Sequence, residues 1–151
     1  MKKVIIALAA SLLTAGSALA ADRDDIMAVL KQWNDADEAK AVAACAEDAA
    51  VIDDVPPFEW HGPGACSRWQ KDYDAYAQQE GATDAVGTIG RPRRLIVTGD
   101  RAYAVVPTTF AFTRKGKRVA QTATTTFALR KTAVGWRITG WTWATATQTV
   151  R

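Results

Sequence analysis

One histidine and two neighbouring acids are the side chains of this sequence that could carry acid–base chemistry. His61 is the single histidine in 151 residues, and Asp53 and Asp54 lie shortly before it. A histidine held by a carboxylate can take up and release protons near neutral pH, which an isomerase or a dehydratase needs. In the alternative interpretation, these residues have a purely structural role: His61 forms hydrogen bonds to the backbone before a helix, and the two acids accept hydrogen bonds in a turn. The sequence leaves both interpretations open.

Six tryptophans are the second feature with a bearing on function. Aromatic walls with few polar groups are typical of small-molecule sites. Tryptophan also fills ordinary cores, and Trp33, Trp69 and Trp136 lie at positions with core periodicity. A pocket is therefore predicted from the other three tryptophans, with one tyrosine and one glutamine as polar groups. These residues are Trp60, Tyr103, Gln121, Trp141 and Trp143.

Several functional classes lack the residues that they require. A structural zinc site needs four nitrogen or sulfur ligands, and the chain has only two cysteines and one histidine. Gly87 and Gly90 do not open a helix after a strand, so they form no phosphate-binding loop. We therefore expect no metal and no cofactor. The basic clusters at 91–94 and 114–118 have neither interleaved aromatics nor a groove-reading helix, so nucleic-acid binding is not predicted.

The N-terminus has the pattern of a secretory signal peptide. Two lysines precede an apolar run at 4–13, and an Ala-Leu-Ala cleavage motif ends at Ala20. The apolar run is shorter than the roughly 20 residues that cross a bilayer. The sequence predicts a signal peptide over 1–20 and one domain over 21–151. The mature protein is expected to be periplasmic or secreted and free of the membrane.

The cysteine count agrees with export. Cys45 and Cys66 form an even pair in an oxidising compartment, which favours a disulfide. The alternative is two buried free thiols that act as small apolar groups.

Charge is distributed unevenly along the chain. Residues 21–84 hold 15 acids and 5 bases, whereas residues 85–151 hold one acid and 12 bases. Such asymmetry can indicate an anionic partner for the basic half. The other interpretation is that the two halves form opposing layers that neutralise each other.

The hydrophobic pattern divides the chain at Gly81. Before it, apolar residues at three- and four-residue spacing predict helices, and a short strand lies between the second helix and the third. After it, alternation with a period of two predicts strands joined by hairpin-length turns. The predicted helices begin near 24, 37 and 62, and the strands span 49–53, 94–98, 101–113, 118–130 and 136–147. This order is typical of an α+β fold with helices on one face of a curved sheet.

Two segments of the chain resemble NTF2-like, or SnoaL-like, domains. The opening resemblance lies in Trp-Asn-Asp-Ala-Asp at 33–37 and in the acidic-acidic-Ala strand that ends at Asp53. The closing one lies in Gly-Trp-Arg-Ile at 135–138 and Trp-Thr-Trp at 141–143. The run 52–66 is similar to that of exported bacterial members. The resemblance implies a cone-shaped half-barrel, in which three N-terminal helices pack on a curved, mostly antiparallel sheet and close a deep pocket. It also implies a homodimer through the outer sheet face.

Within this family, ketosteroid isomerases use an Asp base with a Tyr and a protonated Asp. Asp53 falls where those enzymes carry the base, but Val29 stands at the position of the Tyr. The final strands hold no acid, because Asp100 is the last one. A base without an oxyanion stabiliser lacks the largest catalytic contribution, so this mechanism is not expected. In the resembling fold, a Cys45–Cys66 bridge would fix the entrance of the pocket.

The sequence thus favours an exported protein that binds a small apolar molecule and has no evident catalytic set. The alternative is an acid–base isomerase or dehydratase that uses Asp53 and His61.

Overall fold

The computed structural model describes residues 7–150, with side chains described from residue 18 onward. The helices are α1 (Ala7–Trp33), α2 (Glu38–Ala43) and α3 (Ala65–Glu80). The strands are β1 (Cys45–Ile52), β2 (Glu59–His61), β3 (Ala82–Ile89), β4 (Arg94–Thr98), β5 (Arg101–Arg114), β6 (Lys117–Thr132) and β7 (Gly135–Val150). The predicted signal peptide begins outside the described residues, and it stays a prediction. No helix in the described part of the chain is long and apolar enough to cross a membrane.

All seven strands form one sheet. Its order is β2-β1-β7-β6-β5-β3. β4 also pairs with β5: β3 lies along residues 108–114 of that strand, and β4 lies along residues 101–105. β1 and β7 are parallel, and the other pairs are antiparallel. The three helices pack on one side of this open, curled sheet. The predicted α+β cone is therefore confirmed.

The start of α2 and the end of α3 lie where the sequence provides caps. The side chain of Asp37 accepts hydrogen bonds from the backbone N–H groups of Ala39 and Lys40, which starts α2. Gly81 ends α3 at a φ of 63°, a left-handed conformation that glycine adopts without a Cβ penalty. In α1, Ile26 and Leu30 are fully buried one turn apart and hold the helix against the sheet.

The core lies between α1 and the long strands. Alternate residues of β5 and β6 point inward, among them Ala104, Val106, Phe127 and Leu129. Trp136 is also buried, and its Nε1–H donates to Asp22 Oδ1 at 3.0 Å. The core role predicted for this tryptophan agrees with the structure.

Two strands were not predicted from the sequence. β2 has only three residues and pairs antiparallel with β1. β3 is an edge strand against β5, and most of its residues are exposed, so it has no apolar alternation. β1 also begins at Cys45 rather than at residue 49, because its first part pairs with β7 before a register shift.

The predicted disulfide is present. Cys45, at the start of β1, bonds to Cys66 in the first turn of α3, with 6.5 Å between the Cα atoms. The free-thiol alternative was therefore wrong.

The outer face of the sheet carries mostly threonine, alanine and arginine. Cross-strand threonine pairs on this face are hydrogen-bonded, as between Thr126 and Thr142 at 2.7 Å. The homodimer through this face stays a prediction.

Candidate functional site

A cavity of about 540 Å³ lies between the helices and the inner face of the sheet. Its walls come from the end of α1, from α2 and α3, from the loop after β1, and from strands β3, β5, β6 and β7. This volume is within the range of small-molecule sites in proteins. Both cysteines of the disulfide line it, so the bridge holds one wall in place.

Aromatic rings from four elements meet in this cavity. The ring of Trp141 on β7 packs at right angles to Trp69 on α3, with centroids 4.7 Å apart, and lies 5.2 Å from Trp33. Trp69 stacks on Tyr73 at 5.7 Å, and Tyr73 meets the edge of Phe110 on β5 at 6.1 Å. We call these five rings the aromatic cluster. Such edge-to-face contacts fix the shape of an apolar surface.

Asp53 is a carboxyl group in the cavity wall, directly after β1. Its Oδ2 accepts from Trp69 Nε1 at 3.1 Å, and its Oδ1 accepts from the backbone N–H of Val55 at 3.2 Å. Burial and, to a smaller extent, the neighbouring Asp54 together raise the pKa of Asp53 from 3.8 to about 7. The two hydrogen bonds favour the ionised form but do not offset the burial. This carboxyl can therefore exchange a proton near neutral pH.

Some of the other polar side chains of the cavity already have a hydrogen-bond partner within the protein. The hydroxyl groups of Thr108 and Thr125 are 2.9 Å apart, and Gln121 Nε2 donates to Gln148 Oε1 at 2.9 Å. Burial raises the pKa of Tyr73 to about 12, so its hydroxyl stays protonated. The Nε1–H of Trp141 differs, because it is buried with no acceptor among the described residues.

The sequence has no match among family models or curated proteins. Solved structures are similar. An NTF2-like protein with a cystatin-like fold from Novosphingobium aromaticivorans matches at 18% identity and a TM-score of 0.73, over 95% of this chain and 92% of that one. LinA-type3 hexachlorocyclohexane dehydrochlorinase from Novosphingobium barchaimii matches at 12% identity and a TM-score of 0.67, over 86% of this chain and 92% of that one. A ketosteroid isomerase-like protein from Erwinia carotovora atroseptica matches at 19% identity and a TM-score of 0.63, over 85% of this chain and 96% of that one.

The chain has an NTF2-like fold. This confirms the predicted resemblance. The NTF2-like structures that match include enzymes and a protein whose function is unknown. The fold by itself therefore does not decide between binding and catalysis.

The NTF2-like cavity includes four of the residues predicted for a site. Asp53, Gln121, Trp141 and Trp143 all line it. Gln121, Trp141 and Trp143 lie on the inward-facing side of β6 and β7, where the alternation of the strands places them.

Trp60 and Tyr103 lie outside the cavity. Trp60 is buried, and its Nε1–H donates to Asp72 Oδ2 on α3 at 2.8 Å. Tyr103 is 43% exposed on the outer face of β5, because its neighbours Ala102 and Ala104 point inward. A pocket role for these two side chains is not supported.

The structure does not bring His61 and Asp53 together. In β2, Trp60 is buried while Glu59 and His61 on either side of it are exposed. The His61 ring lies 3.3 Å from Glu59 Oε2 and outside the residues that line the cavity. His61 therefore does not form the predicted acid–base pair with Asp53, because strand alternation turns its side chain to solvent.

Four residues of the aromatic cluster were not predicted as site residues. Trp33 and Trp69 were interpreted as core, and they do pack against it, but they also line the cavity. Tyr73 and Phe110 complete the set. The four-residue spacing of Trp69, Tyr73 and Ala77 on α3 was the available signal, since it places all three on one helix face.

No group of three or more metal-binding side chains was found in the described part of the chain.

Proposed function

We propose that the chain is an exported protein that binds a small, largely apolar molecule in its aromatic cavity. The observation that carries this proposal is the aromatic cluster in a cavity of about 540 Å³, where some of the polar side chains already have partners within the protein. Such a surface gains free energy by removing an apolar ligand from water. The unpartnered indole N–H of Trp141 adds a donor that an acceptor atom of the ligand would satisfy.

Export is the second part of the proposal. It is supported by the N-terminal pattern of the sequence and by the Cys45–Cys66 disulfide, which suits an oxidising compartment.

Binding is tested with N-phenyl-1-naphthylamine, a neutral apolar dye whose fluorescence rises in apolar surroundings. We expect saturable binding with one site per chain. Ala77→Trp should abolish it, because Ala77 lines the cavity and an indole there would fill the space. Ala75→Trp is the matched control, since Ala75 is exposed on the same helix and does not line the cavity.

The control decides between specific and unspecific binding. If the wild type does not bind the dye, or if both variants bind it as the wild type does, binding in the cavity is refuted.

A second candidate function is proton transfer by Asp53, favoured by its pKa of about 7 at the cavity wall. A carboxyl that is half ionised near neutral pH can remove a proton next to a carbonyl group. The protonated hydroxyl of Tyr73 is available as a hydrogen-bond donor in the same cavity.

This candidate is tested by NMR, as deuterium exchange next to the carbonyl of cyclic ketones in D2O. If Asp53 catalyses the transfer, exchange should be faster with the protein than in buffer alone, and this acceleration should be lost in Asp53→Asn. Exchange at the buffer rate, or unchanged exchange in the variant, would contradict it.

A further inference from the structure

The charges around the cavity are almost all negative. Arg114 is the one basic residue that lines it among the described residues, and this side chain already pairs with Glu80 at 3.3 Å. The acidic residues that line the cavity are Asp35, Glu38, Asp53, Asp54 and Glu80. The whole sequence, in contrast, has a formal net charge of +3. A cleft with one sign of charge and low-dielectric walls concentrates ions of the opposite sign.

Neutralisation between the two halves of the chain explains only part of the charge asymmetry. Asp22 pairs with Lys131 at 2.6 Å, and Asp48 pairs with Arg130 at 3.4 Å, so acids of the first half do meet bases of the second. Asp53 is not in any ion pair of the described residues. Its charge therefore needs another explanation.

Asp53 is a carboxyl with neutral partners. Its oxygens accept from the indole of Trp69 and from the backbone of Val55, and the charged group beside it, Asp54, has the same sign. Asp53 is half-buried, and a carboxylate that is partly withdrawn from water without a cation is costly. A cation within the cavity would supply the missing counter-charge.

The rings next to this carboxyl are suited to a cation. The faces of Trp and Tyr rings attract organic ammonium groups, most strongly when water is excluded. Trp69 connects the two features, because its Nε1–H bonds to Asp53 while its ring packs against Trp141 and Tyr73. A carboxylate and several aromatic rings therefore line the same part of the cavity.

We propose that the ligand of this cavity is an organic ammonium ion with an apolar body, and that Asp53 is its counter-ion. The ammonium group lies against Asp53 and the rings of Trp69 and Trp141, and the apolar body extends towards Phe110. This inference rests on the proposed binding function and specifies its ligand class.

The test compares two compounds of the same shape, phenyltrimethylammonium and neutral tert-butylbenzene, as competitors of the bound dye. Because the quaternary ammonium does not titrate, any pH dependence belongs to the protein. At pH 8 we expect the cation to bind at least tenfold more tightly than its neutral counterpart. Its affinity should fall at least tenfold between pH 8 and pH 5, since below the pKa each pH unit reduces the ionised fraction about tenfold. The neutral compound should show no such change.

Variants assign the pH dependence to one group. The titratable groups that face Asp53 are Asp54 on the same loop and Tyr73 on α3, and Tyr73 stays neutral at these pH values. In Asp53→Asn the ratio of the two affinities should fall to about one at both pH values. In Asp54→Asn the preference for the cation should persist, and its pH midpoint should move down, because Asp54 raises the pKa of Asp53.

The outcomes separate this inference from the proposed function. Equal or tighter binding of the neutral compound, or an undiminished cation preference in Asp53→Asn, overturns the ammonium proposal and leaves small-molecule binding intact. Failure of both compounds to displace a dye that does bind also overturns it. Failure of the dye itself to bind overturns the proposed function.

Discussion

Asp53→Asn is expected to stabilise the folded protein at neutral and alkaline pH. The pKa of Asp53 is raised from 3.8 to about 7 in the folded state, chiefly by burial. The folded chain therefore holds this proton more tightly than the unfolded chain does. The resulting stabilisation is fully present below pH 3.8 and is lost as the pH rises through about 7.

The size of the effect follows from the two pKa values. A difference of about three corresponds to about 4 kcal/mol of unfolding free energy, at 1.36 kcal/mol for each pH unit. This figure is an upper value, because an open cavity admits water to the carboxyl. Asparagine does not ionise, and its amide oxygen can still accept a hydrogen bond from Trp69 or Val55. At pH 8 the variant should exceed the wild type by up to about 4 kcal/mol, and at pH 4 the two should be nearly equal.

The assay is urea unfolding at pH 4, 6 and 8, followed by tryptophan fluorescence. Asp100→Asn is the matched control, because Asp100 lies in an exposed turn between β4 and β5. Its difference from the wild type should not grow with pH. The reasoning is refuted if the difference between Asp53→Asn and the wild type is the same at all three pH values.

Three further predictions concern the support of the site. The unreduced, denatured protein should have no titratable thiol, and two titratable thiols would contradict the disulfide. Replacing Cys45 and Cys66 by alanine should lower the free energy of unfolding by about 3 kcal/mol, because the bridge closes a loop of 21 residues. Gly87→Ala should destabilise the fold, because its Cβ would lie 2.8 Å from Asn34 Oδ1; a double-mutant cycle with Asn34→Ala should show coupling, and strict additivity in urea unfolding would argue against the contact. Asp22→Asn should lower the urea midpoint at pH 7 by weakening the bonds to a lysine and a tryptophan, which also lower the pKa of Asp22. The deficit should vanish as the pH falls below 3.8, and a deficit that persists at low pH would contradict this origin.

Elements that repeat a burial pattern or begin at a cap could be predicted from the sequence, whereas β2 and β3 could not. The apolar stripe of α1, the stop at Gly81 and the three long strands β5, β6 and β7 each repeat a pattern often enough to define their period. β2 has three residues, and β3 is mostly exposed, so neither shows a burial pattern in its residue types. Their pairing comes from neighbouring strands that are distant in sequence.

The site was predicted in part for a related reason. The positions of Asp53 and Trp141 in the cavity wall could be predicted, because the sequence pattern shows where the first strand ends and which face of the last strand points inward. The position of His61 could not be predicted, because it lies in β2, whose three residues are too few to show the alternation that turns this side chain to solvent. Trp33 and Trp69 were assigned to the core because the cavity lies directly beside the core. Residues that line the cavity therefore have the same helical periodicity as residues that fill the core.

The central claim, that a small molecule binds in the aromatic cavity, is tested most directly through the tryptophan indole signals in a ¹H–¹⁵N NMR spectrum. Trp33, Trp69, Trp141 and Trp143 line the cavity, whereas Trp60 and Trp136 do not and donate to acids elsewhere. Titration with N-phenyl-1-naphthylamine, with signals assigned through single Trp→Phe variants, should shift the first four signals and leave the other two in place. Shifts confined to Trp60 and Trp136, or no shift in any of the four at saturating dye, would contradict the claim.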